Sequence, residues 1–117
     1  MNMSEQLIRL DRAVALKRLG GDESLLREIA GLFLEEYPAL LRDIAGAISQ
    51  GDAKKLERSS HTLKGSVANF GAEAAVEATL RLEQIGRSLQ LTEAEDAYRH
   101  LVCVLNHLQP ELRELAG

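Results

Sequence analysis

Apolar residues recur every three or four positions through four successive stretches of this chain, with short breaks between the stretches. That period belongs to helices that bury one face. β-Branched runs and Asn-Gly turns are absent, so strands are not expected. The fold is therefore predicted to be all-α. Asp11 is placed to cap a short first helix, "RAVALKRL", which stops at Gly20-Gly21. Asp22 is placed to cap a long second helix with a stripe of Leu25, Ile29, Phe33, Tyr37, Leu40, Ile44 and Ile48, widened by Leu26, Leu32 and Leu41. Pro38 falls inside it and predicts a kink or a break.

"QGD" at 50–52 ends that helix, and Asp52 can cap the third, whose stripe is Leu56, Leu63, Val67 and Phe70. Gly71 stops it. The fourth runs from about Ala72 to Leu89, with Ala75, Thr79, Leu82, Ile85 and Leu89 on one face. Thr92 and Glu95 read as a capping box for the fifth, which carries Leu101, Val104, Leu105, Leu108, Leu112 and Leu115 and is bent at Pro110. Four long amphipathic helices joined by short turns predict an antiparallel four-helix bundle, with the short additional N-terminal helix over one end. The 117 residues are enough for one such domain, spanning 1–117.

Composition narrows the function. Aromatic residues make up 3 % and the net charge is -4, with no basic run, which argues against a nucleic-acid surface. No apolar h-region and no uninterrupted apolar stretch of about 18 residues occurs, so a cytoplasmic domain without membrane contact is expected. Cys103 is the only cysteine and, within "LVCVL", is expected to pack as a small buried hydrophobe. His100, Cys103 and His107 share a helix face. The two histidines stand about 10.5 Å apart along the axis, too far for one easy metal site, so no metal is expected. Glu35 and Glu36 read as solvated surface.

The third helix holds the informative stretch, "SSHTLKGSVANFG" at 59–71. At 100° per residue His61 points roughly 150° away from the centre of the apolar stripe, and Glu57, Lys64, Gly65 and Ala68 lie within about 60° of it. Ser59 and Ser66 fall beside the stripe. A glycine inside a helix costs about 0.5–1 kcal/mol relative to alanine. On an exposed face nothing within the domain offsets that cost, so Gly65 points to clearance for a docking partner near His61. A neutral imidazole nitrogen is nucleophilic near neutral pH, and Lys64 supplies a cation one turn on. An exposed His beside a Lys is also, on spacing alone, an ordinary solvated surface.

"HTLKGSVANFGA" resembles the histidine-containing phosphotransfer (HPt) domain motif, matching it at His61, Leu63, Lys64, Gly65, Ser66, Phe70, Gly71 and Ala72. "RLEQIGR" at 81–87 supplies the Leu-Glu pair, Leu82-Glu83, that often follows, and "LKRLGGDESLLREIAGLFLEEYPALL" is similar to the entry of such domains in hybrid sensor kinases. The resemblance implies a four-helix bundle that serves a two-component phosphorelay. His61 would accept a phosphoryl group from a receiver aspartyl phosphate and pass it to another receiver. Lys64 would offset phosphoryl charge, and Gly65, Glu57, Ala68, Gln84 and Arg87 would meet the partner. Glu83 is a candidate hydrogen-bond partner of the imidazole, although its charge would oppose phosphate. The implied partners are receiver domains of response regulators and of a hybrid kinase. Mg²⁺ is expected on the receiver, and the chain is expected to be a monomer without a cofactor of its own and without independent catalytic machinery.

Three other readings compete. A kinase dimerisation domain usually has an acidic residue after its His and a proline soon downstream, whereas Thr62 follows His61 here and the next proline is Pro110. A non-phosphorylated helical adaptor, a degenerate HPt domain, would dock a partner without carrying phosphate. An independent hydrolase lacks an assembled nucleophile, base and oxyanion site.

Overall fold

A computed structural model describes residues 9–117, so residues 1–8 of the expected domain lie outside the described residues. All regular elements among the described residues are helices: α1 (Arg12–Arg18), α2 (Glu23–Gln50), α3 (Ala53–Ala68), α4 (Glu73–Ser88) and α5 (Ala94–Ala116). Three starts follow from aspartate. Asp11, Asp22 and Asp52 each accept a hydrogen bond from the backbone N–H three residues on, at 3.1, 2.9 and 3.0 Å. Each satisfies a donor that a helix start would otherwise leave open. Gly51 ends α2 in the left-handed conformation, at φ 66°.

Turns at 51–52, 69–72 and 89–93 are too short to let the chain cross the bundle, so consecutive long helices run antiparallel. Each packs on its neighbours in a closed ring, α2 on α3, α3 on α4, α4 on α5 and α5 back on α2. Leu26, Phe33 and Ile44 of α2, Leu56, Leu63 and Val67 of α3, Leu82 of α4, and Leu101, Leu105, Leu108 and Leu112 of α5 fill the centre. Phe33 stacks on Tyr37 at 5.2 Å and meets Phe70 edge-on at 5.4 Å. Tyr37 Oη accepts a hydrogen bond from Gln109 Nε2 at 3.2 Å, which joins α2 to α5. The short α1 lies over the end where α3 turns into α4. There Asp11 N–H donates to the Phe70 carbonyl at 3.0 Å and Arg18 Nη1 to the Ala68 carbonyl at 3.3 Å.

Several expectations are corrected. Pro38 does not break α2, which runs unbroken from Glu23 to Gln50 with the proline on its exposed side. Pro110 is likewise an exposed residue inside α5. Thr92 does not cap α5: the helix begins at Ala94, one residue later than the capping box requires, and no side chain caps it. Cys103 is exposed, because the run "LVCVL" winds around the helix and carries it about 160° from the centre of the α5 core residues. Leu25 and Leu32, at 37 % and 53 % exposure, stand about 100–120° off the centre of the α2 core. Leu89 is 76 % exposed because α4 ends at Ser88 and Leu89 turns outward as its left-handed cap, at φ 64°.

The seam between α3 and α4 is the closest approach in the bundle that bears on the site. A Cβ on Gly86 would stand 2.7 Å from the Glu57 backbone nitrogen and 2.8 Å from the Ala53 carbonyl oxygen. Only glycine lets α4 lie this near the first turns of α3. One turn before Gly86 on the same helix is Glu83.

Candidate functional site

His61 sits midway along α3 with its side chain 69 % exposed. The core stripe of α3 faces the other way, so the ring is held outward by burial of Leu56, Leu63 and Val67. Across the seam, Glu83 is only 2 % exposed, yet it is charged. Lys64 Nζ donates to its Oε1 at 2.6 Å and to its Oε2 at 3.3 Å. The Lys64 hydrogen bond holds the Glu83 carboxyl below its ordinary value of 4.5, against the opposing effect of burial, and His61 adds to the lowering. A buried carboxylate without such partners would be too costly to keep ionised.

Glu83 Oε2 lies 2.8 Å from His61 Nδ1. An ionised carboxylate only accepts, so Nδ1 carries the proton. A neutral ring then has its lone pair on Nε2, the nitrogen remote from Glu83. The pair therefore fixes both the ring's orientation and its tautomer. Arg87, one turn beyond Glu83, donates through Nε to Glu57 Oε2 at 2.9 Å, and its Nη2 is 3.7 Å from Glu83 Oε2.

The sequence-predicted residues thus fall into two groups. His61, Lys64, Glu83, Arg87 and Glu57 form one connected set across the α3–α4 seam. Gly65 is exposed, with nothing within 4 Å of where a Cβ would stand. Gln84 is exposed on α4 outside the set, and Ala68 is half-buried near α1. Lys64 is committed to Glu83 rather than standing free beside the ring.

Sequence reasoning placed Ser59 and Ser66 beside the core but missed Ser60, which is fully buried with its Oγ unpartnered. Its angle, about 50° from the stripe centre, carried the signal. It also missed Gly86. The hint there was a run of small residues, Ala75, Ala78, Thr79 and Gly86, on the buried face of α4. His100, Cys103 and His107 are exposed on the outer face of α5, and no group of three His, Cys, Asp or Glu side chains among the described residues converges as a metal site. Among the same residues no helix is long and apolar enough to cross a membrane.

Comparison with known proteins gives a family and a fold. The family model described as the Hpt domain matches residues 28–116. Among solved structures, the crystal structure of histidine-containing phosphotransfer protein B (HptB) from Pseudomonas aeruginosa PAO1 superposes with a TM-score of 0.75. The match is 24 % identical and covers 90 % of this chain and 95 % of that one, a likeness of fold. No curated protein sequence matches.

Proposed function

Because the chain belongs to the Hpt domain family, whose members serve histidine phosphotransfer in phosphorelays and interact with receiver domains, we propose that His61 is its phosphoacceptor and Nε2 the reacting atom. The observation that carries this reading is the 2.8 Å contact from Glu83 Oε2 to Nδ1 on a ring that is otherwise open to solvent. The Nε2 lone pair attacks the phosphorus of a receiver aspartyl phosphate. The P–N bond forms, the P–O bond breaks, and the electron pair leaves on the aspartate carboxylate. No proton has to move, since Nδ1 keeps its own. The ring becomes cationic, and Glu83 stabilises that charge. Transfer onward to a second receiver is the same step reversed.

The domain contributes positioning and charge. Glu83 orients the ring, and Lys64 neutralises Glu83. Gly65 leaves room for the receiver, which would bring its own acidic pocket and Mg²⁺. The reading is of a monomeric cytoplasmic intermediate, not an enzyme with independent machinery. Incubation with a phosphorylated receiver should give an acid-labile, alkali-stable label. His61→Gln should abolish the label and leave the helical circular-dichroism signal unchanged. A label that survives His61→Gln refutes the assignment, and receiver binding without any label supports the adaptor instead.

A further inference from the structure

Lys64 is the cation that the sequence offers for the phosphoryl group, but both oxygens of Glu83 already hold it. Arg87 differs. Its side chain is 63 % exposed, and its guanidinium spans two carboxylates of unequal claim: Nε on Glu57 Oε2 at 2.9 Å, and Nη2 at 3.7 Å from Glu83 Oε2. That second oxygen is the one 2.8 Å from His61 Nδ1, so the guanidinium is one carboxylate away from the ring. Glu57 is four residues before His61 on α3, so the two side chains are neighbours on one helix face.

We propose that Glu57 and Arg87 form a switchable pair: Glu57 holds Arg87 beside the unphosphorylated ring, and phosphorylation of His61 draws the guanidinium from Glu57 onto the phosphoryl oxygens. This rests on the phosphotransfer reading above. A phosphoryl group on Nε2 carries more negative charge than a carboxylate and offers three acceptor oxygens, which a planar guanidinium can engage in pairs. The same event places that charge near Glu57 and repels it. Lys64 cannot make the exchange without leaving Glu83 charged, buried and short of a partner. Arg87 can, because Glu57 is one-third exposed at its side chain and water takes over its solvation. Arg87 is then the direct partner of the phosphoryl group. Glu57 is a positioning residue that sets how strongly the phosphorylated state is favoured.

The test uses the full chain with phosphoramidate as donor, at fixed ratios of phosphoramidate to ammonium, with ³¹P NMR reading the phosphorylated fraction. In the donor reaction the donor P–N bond breaks, ammonia leaves and the Nε2–P bond forms. Arg87→Gln should lower the equilibrium constant about threefold to tenfold, and Glu57→Gln should raise it by a similar factor. Arg87→Lys should fall between Arg87→Gln and the wild type. Arg58→Gln, one turn from His61 on the same helix, should stay within about twofold of the wild type. The opposite signs are decisive, since either Gln variant breaks the same salt bridge and a purely structural role would move both the same way. The Arg87 Nε–H resonance should also shift on phosphorylation. Equal constants in the two Gln variants, a shift in the same direction, or an effect at Arg58 in place of Arg87 overturns the pair. A wild-type chain that gives no phosphohistidine resonance overturns the phosphotransfer reading and the pair with it.

Discussion

Gly65 and Gly86 are both glycines inside helices on either side of one seam, and their surroundings are opposite. Gly86 on α4 is enclosed: its missing Cβ is what allows the α3 backbone at Ala53 and Glu57 to come so close. Gly65 on α3 faces open space. The first glycine serves the fold. By bringing α4 against α3 it carries Glu83 to within 2.8 Å of His61. The second serves nothing inside the domain. The helix pays its propensity cost without an internal return, beside the one histidine held in a fixed tautomer. Gly86 is thus accounted for by the backbone that fills the space beside it, whereas Gly65 has no such neighbour.

Gly86→Ala attacks the closed side and should have the largest effect. The new methyl meets backbone that cannot swing aside, so the helices must part. A loss of about 1–3 kcal/mol is expected despite alanine's better propensity, read from the urea midpoint. The His61–Glu83 contact should loosen with it. A Gly86→Ala protein as stable as the wild type would remove the distinction between the two glycines.

The charge that the closed seam holds gives the next effect. Glu83 has a lowered carboxyl pKa in the fold, so its contribution to stability is fully present above the ordinary value of 4.5 and is lost as pH falls through the lower folded value. Wild-type stability should therefore drop more steeply below about pH 4.5 than that of Glu83→Gln, and the gap between the two should narrow in acid, read from denaturant titrations at stepped pH. Parallel curves would mean that the seam does not hold a charged carboxylate.

Gly65→Ala should have the smallest and opposite effect on stability, a gain of up to about 1 kcal/mol. A bulky replacement such as Gly65→Trp should leave the urea midpoint nearly unchanged yet slow transfer from a phosphorylated receiver. Equal transfer rates at matched receiver concentration would sink the clearance argument.

Much of this was legible in the sequence because it depends on one helix at a time. Periodicity revealed the helices, aspartates at 11, 22 and 52 marked three starts, and angular position set His61 apart from the stripe of Leu56, Leu63 and Val67. What escaped depends on two helices at once. A wheel drawn on α4 alone cannot tell that Gly86 touches the Glu57 backbone, or that Lys64 reaches across to Glu83. Read in isolation, Glu83 looked like a charge that would oppose phosphate; the structure adds that Lys64 holds it and that it meets His61 Nδ1 at 2.8 Å. Cys103 failed for a different reason. It was judged from its apolar neighbours along the chain, whereas burial in a helix follows angle.

Phosphotransfer at His61 requires one ring nitrogen to react and the other to keep its proton. A heteronuclear NMR correlation between ³¹P and the ring nitrogens of the phosphorylated, ¹⁵N-labelled chain reads this directly. The geometry predicts phosphorus on Nε2 of His61, with Nδ1 still protonated and hydrogen-bonded to Glu83. Phosphorus on Nδ1 of His61, or on either ring nitrogen of His100 or His107, would contradict it.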